Sequence, residues 1–247
     1  MSTPASPNQT YLSVIIPCYN EEKRVQKTLD AVIAFLHSRP YQSEIVVVDN
    51  GSQDKTVQIL KSYQGKFPHF KIVIENSHGK GWAVKQGMLV AEGHFRLFTD
   101  ADNSTDIRQV EQLLTFAEAG YDVVVSSRKA PGAKIIHPQP RFRVILGNLF
   151  QGLVQLIVPL PVKDTQNGFK LFSAKATEKI FPHQDIYYWA FDVELIALAE
   201  KFGFRVKEVP ITWVNDDQSK MNFKGMARML FEVILIRLRL ATRDYAN

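Results

Sequence analysis

With 247 residues, 45% of them apolar and 22% charged, the chain has material for one sizeable core and lacks the polar bias of a disordered protein. The net charge of +5 favours an anionic partner, a class that spans nucleotide, lipid phosphate, membrane surface and nucleic acid. The single Cys18 excludes an internal disulfide, and six histidines without ligand spacing argue against structural zinc.

Residues 1–11 are polar and uncharged, lack the apolar core of a secretory signal, and read as a flexible tail before a domain over residues 12–222. Strands are predicted at Leu12–Ile16, Glu44–Val48, Lys71–Ile74, Phe95–Thr99 and Tyr121–Ser126, short runs rich in β-branched or aromatic residues and mostly without an exposed face. Helical periodicity fills the gaps. Val25, Leu29, Val32, Ile33 and Leu36 form one stripe in a helix predicted from Glu21 to Leu36, and Asp54–Tyr63, Lys80–Ala91 and Asp106–Ala119 follow the same spacing. This rhythm predicts an α/β fold, a mostly parallel central sheet flanked by helices. The longest apolar stretch, Val144 to Leu160, is broken by Asn148, Gln151 and Gln155 and falls short of the ~20 residues of a spanning helix, so no transmembrane segment is expected.

Two strands end on acids: Ile45–Val48 runs into Asp49-Asn50-Gly51-Ser52-Gln53-Asp54, and Phe95–Thr99 into Asp100-Ala101-Asp102. Ligands of open α/β sheets gather at carboxyl strand ends, and alternation puts Asp100 and Asp102 on one side of an extended backbone, as gripping a hard cation requires. A lone Asp-x-Asp serves equally well as a helix cap, but Asn103, Ser104 and Asp106 are better placed for that role. The first strand ends in Pro17-Cys18-Tyr19-Asn20-Glu21 without G-x-G-x-x-G, which excludes the usual dinucleotide cradle, and no P-loop pattern occurs. Gly79-Lys80-Gly81, between a strand and a helix, reads either as a ligand-approaching turn or as a plain helix entry.

Taken in order with Ser127-Arg128, Asp164-Thr165-Gln166-Asn167-Gly168-Phe169-Lys170 and Trp189-Ala190-Phe191-Asp192-Val193-Glu194, these motifs resemble inverting glycosyltransferases of family 2, which have the GT-A nucleotide-sugar-binding fold. The likeness covers residues 11–243 and is greatest to the polyprenyl-phosphate branch. Trp213, Ser219-Lys220 and Ile236-Arg237-Leu238-Arg239 point to its glucosyl members. The resemblance implies that Pro17, Tyr19, Glu21, Asp49 and Lys80 bind the nucleotide and that Asp100 and Asp102 place the donor diphosphate and its Mg²⁺ or Mn²⁺. It also implies that Asp164 orients the acceptor or acts as a base with Gln166 beside it, that Trp189 borders the sugar or acceptor pocket where Asp192 and Glu194 either contact sugar hydroxyls or brace the site, and that Lys220 reaches the diphosphate. Gln218 stands where a glycine is usual before Ser219, and Asn50 where an aspartate is frequent.

Residues 123–163 carry Arg128, Lys129, Lys134, Arg141, Arg143 and Lys163 with no acidic residue, a one-sign segment suited to an anionic acceptor, with Arg128 and Arg141 or Arg143 gripping a lipid phosphate. Over residues 144–160, Leu146, Leu149, Phe150, Leu153, Val154 and Ile157 form the apolar face of a candidate interfacial helix, and residues 223–247 a second, arginine-bearing amphipathic helix. Packing on the domain and contact between copies are the competing readings for both. The expected function is inverting transfer of a hexose, glucose from UDP-glucose by resemblance, to polyprenyl or dolichyl phosphate. The expected setting is the cytoplasmic face of a membrane, with peripheral attachment, no nucleic-acid partner and a possible homo-oligomer. A family 2 enzyme with a polysaccharide or protein acceptor and a non-catalytic nucleotide-sugar sensor are the alternatives.

Overall fold

The computed structural model describes residues 9–76, 79–137, 141–214 and 223–245, and gives the backbone alone for 141–143, 145–146 and 223–224. Expectations for the first eight residues, for the side chains of Arg141, Arg143 and Leu146, and for Gln218, Ser219 and Lys220 lie outside what is described.

The chain begins as a strand–helix alternation: β1 (Leu12–Cys18), α1 (Val25–His37), β2 (Ser43–Asp49), α2 (Thr56–Ser62), β3 (Phe70–Ile74), α3 (Lys80–Val90), β4 (Phe95–Phe98), α4 (Val110–Glu118) and β5 (Val123–Ser127). It continues through β6 (Lys134–Ile136), α5 (Arg141–Ile157), β7 (Lys170–Ser173), α6 (Ala174–Ile180), α7 (Phe191–Lys201), β8 (Val206–Pro210), β9 (Thr212–Val214) and α8 (Phe223–Thr242). The five predicted strands lie within two residues of β1 to β5. Helix α1 starts at Val25 rather than Glu21: residues 21–24 form a turn that enters the helix, closed by Arg24 N and Val25 N on Glu21 O, with Arg24 donating twice to the Glu21 carboxylate at 2.7 Å.

Seven strands form one sheet in the order β3-β2-β1-β4-β7-β5-β8, and only β7 runs antiparallel to its neighbours. Strand alternation divides the core in two. Val14, Ile16, Ile45 and Val47 face α1, α2 and α4, whereas Ile15, Val46 and Val48 face a second core that includes Met88 of α3, Val193 of α7 and Met229 of α8. Both faces are covered, which is why the strands read as unbroken apolar runs. Strands β6 and β9 pair in parallel as a separate ribbon.

The predicted apolar face of α5 divides in the structure. Val154 is buried and Phe150 and Ile157 pack on the core, while Leu149, Leu153 and Leu156 point outward. Its polar residues are tied to neighbouring chain: Asn148 and Gln151 both accept from Lys129 Nζ, and Gln155 bonds the chain at Leu160 and Val162. Helix α8 buries Met229, Val233 and Ile236 against the domain and exposes Phe231, Ile234 and Leu238. Among the described residues, no helix is long and apolar enough to cross a membrane.

Candidate active site

Topology explains how three distant motifs meet. Strand β7 enters between β4 and β5 in the opposite direction, so its leading residues abut the carboxyl ends of both. Asp164 to Lys170 thereby arrive beside Asp100 and Arg128. Gly168 packs so closely on the Asp100 carboxylate that a Cβ there would overlap it, and Ser126 Oγ donates to Asn167 Oδ1 at 2.7 Å.

At the ends of β1 and β2, the two loops are stitched together. Asn20, in the left-handed region at φ 54°, donates its N–H to Ser52 Oγ at 2.9 Å and accepts from Gln53 N at 2.8 Å. Asp54 receives the amides of Glu22 and Thr56 and is structural. Asp49 is buried; its Oδ2 accepts from Gly51 and Ser52 at 3.1 Å each, and its Oδ1 has no hydrogen-bond partner among the described residues. A buried acceptor left open costs free energy until a donor reaches it, so Asp49 is suited to an N–H or hydroxyl of a ligand. Pro17 pairs in register with Val48 at the same sheet edge, and Tyr19 is exposed beside it.

Lys80, the first residue of α3, ion-pairs with Asp100. Asp102 accepts from Ser104 N at 2.9 Å, and burial together with the Asp100 charge pushes its carboxyl above the usual range. Two mutually repelling carboxylates with a serine hydroxyl nearby form an all-oxygen donor set. Such oxygen donors suit a hard Mg²⁺ or Mn²⁺ that takes most of its ligands from diphosphate and water. A cavity of about 760 Å³ opens on Asp102, Asn103 and Ser104 and is flanked by Lys23, Arg24 and Lys27 of the α1 entry, a basic wall that the motif reading missed.

Asp164 is buried and bound on three sides by one residue: Arg128 donates from its backbone N–H (2.9 Å), from Nε (2.8 Å) and from Nη2 (2.8 Å). Burial raises the Asp164 carboxyl, but the Arg128 bonds outweigh it and hold the group below the usual carboxylate range. Asp164 is therefore ionised at neutral pH and a weak base, better suited to orienting Arg128 than to taking a proton. The other face of Arg128 lies 5.2 Å from the Trp213 ring, and Glu208 fixes the Asp164 backbone by accepting its N–H at 2.9 Å. Gln166 turns its amide to the Met229 sulfur of α8 at 2.9 Å.

Asp192 and Glu194 stand two residues apart on α7, about 200° around the helix, and so do not share a pocket. Asp192 pairs with the fully buried Lys170; burial pulls the carboxyl up and the ammonium down, and loss of either partner would strand a buried charge at a cost of about 3–5 kcal/mol. Glu194 instead accepts the amides of Asp185 (2.9 Å) and Ile186 (2.7 Å), contacts of the bracing kind. Trp189, at the end of that loop, is half-buried against the core.

Residues 13–181 match the family described as glycosyl transferase family 2. The chain belongs to this family. It is 35% identical to dolichyl-phosphate beta-glucosyltransferase ALG5C of Trichomonas vaginalis over 94% of this chain and 72% of that protein. It is 36% identical to dolichyl-phosphate beta-glucosyltransferase of Dictyostelium discoideum over 93% and 74%, and 32% identical to that of Homo sapiens over 94% and 76%. Among solved structures, glucosyl-3-phosphoglycerate synthase of Mycobacterium tuberculosis, in complex with Mn²⁺, uridine-diphosphate and phosphoglyceric acid, superposes with TM-score 0.70 at 18% identity, covering 96% of this chain and 80% of that one. TarS of S. aureus in complex with UDP-GlcNAc superposes at 0.61 and 19% identity over 96% and 69%. The fold is GT-A, and the chain is a glycosyltransferase.

Proposed function

We propose that this family 2 enzyme transfers glucose from UDP-glucose, with inversion, to the phosphate of dolichol or a related polyprenol. The observation that carries the reading is the Arg128–Asp164 pair beside Asp100: a guanidinium locked on two of its nitrogens, whose Nη1 has no hydrogen-bond partner among the described residues and is the edge offered to an anion. The dolichyl-phosphate beta-glucosyltransferases at 32–36% identity name the acceptor and the sugar. A nucleoside diphosphate finds its complement in the open Asp49 Oδ1 and the exposed Tyr19 beside it, with Lys80 at the diphosphate. A divalent ion held by Asp100 and Asp102 would neutralise charge on the departing diphosphate.

An acceptor phosphate oxygen attacks the anomeric carbon, the bond from that carbon to the diphosphate oxygen breaks, and uridine diphosphate leaves. A phosphate monoester has its second pKa near ~6 and is already largely ionised at neutral pH, so no base is needed. That agrees with an Asp164 held too acidic to serve as one. Orientation by Arg128 and Asp164 then dominates. A hydroxyl acceptor on polysaccharide or protein would need the base that Asp164 does not provide.

Attachment to a membrane surface is part of the same reading. Outward Leu149, Leu153 and Leu156 of α5 and Phe231, Ile234 and Leu238 of α8 supply apolar stripes, with Arg237, Lys134 and Lys163 exposed. The acceptor chemistry is tested by comparing a short polyprenyl phosphate with the corresponding polyprenol. Product is expected from the phosphate alone, and equal turnover with the alcohol would contradict the role given to Arg128.

A further inference from the structure

The segment from Gln184 to Ala190 is held by buried carboxylates at both ends. Glu194 accepts at Asp185 and Ile186; at the far end Glu232 of α8, itself buried, accepts from Trp189 N at 3.0 Å and Ala190 N at 2.9 Å with the same Oε2. Ala190 caps the N-terminus of α7, where a negative charge is favoured. The other Glu232 oxygen accepts from Arg228 at 3.1 Å, and that guanidinium stacks on Tyr188 at 3.6 Å. Helix α8 thus grips this loop by its backbone and by a ring.

The loop in turn shapes the entry to α3. Tyr187 O accepts from Gly81 N at 2.8 Å, and Gln184 Nε2 donates to Gly81 O at 2.9 Å. Gly79, at φ 97°, lies so close to Tyr187 O that a Cβ would overlap it, and a Cβ at Gly81 would fall 2.7 Å from Phe191 Cβ. Between these two glycines stands Lys80, whose ammonium pairs with Asp100.

We propose that Glu232 is a positioning residue for sugar transfer: from α8 it fixes the 184–190 loop, and through Tyr187 and Gln184 it sets the α3 entry that presents Lys80 to Asp100. The inference rests on the proposed transfer reaction for its catalytic meaning and on the contacts alone for its mechanical part. It gives α8, whose other face carries Phe231, Ile234 and Leu238, a direct connection to the donor end of the site.

The test uses the full chain with Glu232→Ala and Glu232→Gln, read by turnover and by amide hydrogen exchange. In the alanine variant, exchange is expected to accelerate roughly tenfold or more at Trp189 and Ala190 and also at Gly81, which Glu232 does not touch. kcat is expected to fall roughly tenfold or more. Glutamine keeps an acceptor oxygen in place and is expected to restore Gly81 protection and most of the turnover. Should alanine unfold the chain, Glu232→Asp, one methylene shorter, is read in the same way. Unchanged Gly81 exchange and kcat alongside deprotected Trp189 and Ala190 would overturn the proposal and leave Glu232 as a cap of α7. A wild-type chain inactive in transfer would overturn the functional reading, while Gly81 exchange would still decide whether α8 holds the α3 entry.

Discussion

Glu194 and Asp164 show how two buried carboxylates in one fold take opposite electrostatic character. Asp164, ringed by Arg128, stays acidic, whereas Glu194 is pushed up to about 7 by burial, which its two backbone bonds and the nearby Arg239 only partly offset. A carboxyl raised from its unfolded value near 4.5 stabilises the fold most below that value, and this contribution is lost as pH rises to about 7. The loss approaches about 3 kcal/mol. Urea midpoints of wild type and Glu194→Gln at pH 5 and pH 8 read it directly: the wild type should lose stability relative to the variant on going to pH 8, and parallel pH profiles would refute the assignment. Gly168→Ala tests the packing around Asp100. The added methyl must displace the Asp100 carboxylate, so turnover should fall and the Mn²⁺ concentration for half-activation should rise, with the melting temperature changed little; unaltered metal activation would show that Asp100 holds no ion.

At the level of elements, the first half of the chain was legible because its strands are mostly parallel and largely buried, so they read as short, mainly apolar runs, and two of them, β2 and β4, are closed by acids. Strand β7 escaped detection: it has four residues, opens on a buried lysine, and is a strand only because β4 and β5 leave a gap that an antiparallel segment fills. Asp164, Lys170, Arg128 and Asp192 were all visible as motif residues, yet the pairing of Asp164 with Arg128 and of Lys170 with Asp192 was not, since pairing across the sheet depends on that insertion. Glu232 gave no signal, being one charge on an amphipathic helix. The stripes of α5 and α8 were found by periodicity, but which side faces the domain depends on packing. Two arginines of α8 and one just after it are engaged within the protein, Arg228 with Glu232, Arg239 beside Asp185 and Glu194, and Arg243 with Asp185, while Arg237 is exposed. Apolar contact therefore outweighs charge in the membrane reading. Leu156→Asp with Phe231→Asp should abolish sedimentation with vesicles containing anionic lipid while leaving the melting temperature within a few degrees. Retained vesicle binding would shift these stripes to a contact between copies of the chain.

Across the whole molecule, one sheet brings the proposed nucleotide end and the proposed acceptor end to the same edge. The ends of β1, β2 and β4 offer Asp49, Asp100 and Asp102, while β5, β7 and the small β6–β9 ribbon bring Arg128, Asp164 and Trp213. Helices α7 and α8 close the second core behind them and tie the 184–190 loop to α3. This division of labour suits transfer of a sugar between two phosphates. The most direct measurement is mass spectrometry of the lipid product after incubating the purified chain with Mn²⁺, a short polyprenyl phosphate and, in separate reactions, UDP-glucose or guanosine-diphosphate mannose. The account predicts a polyprenyl-phosphate hexose from UDP-glucose; no lipid-linked hexose from either donor, with UDP binding intact by calorimetry, would contradict it.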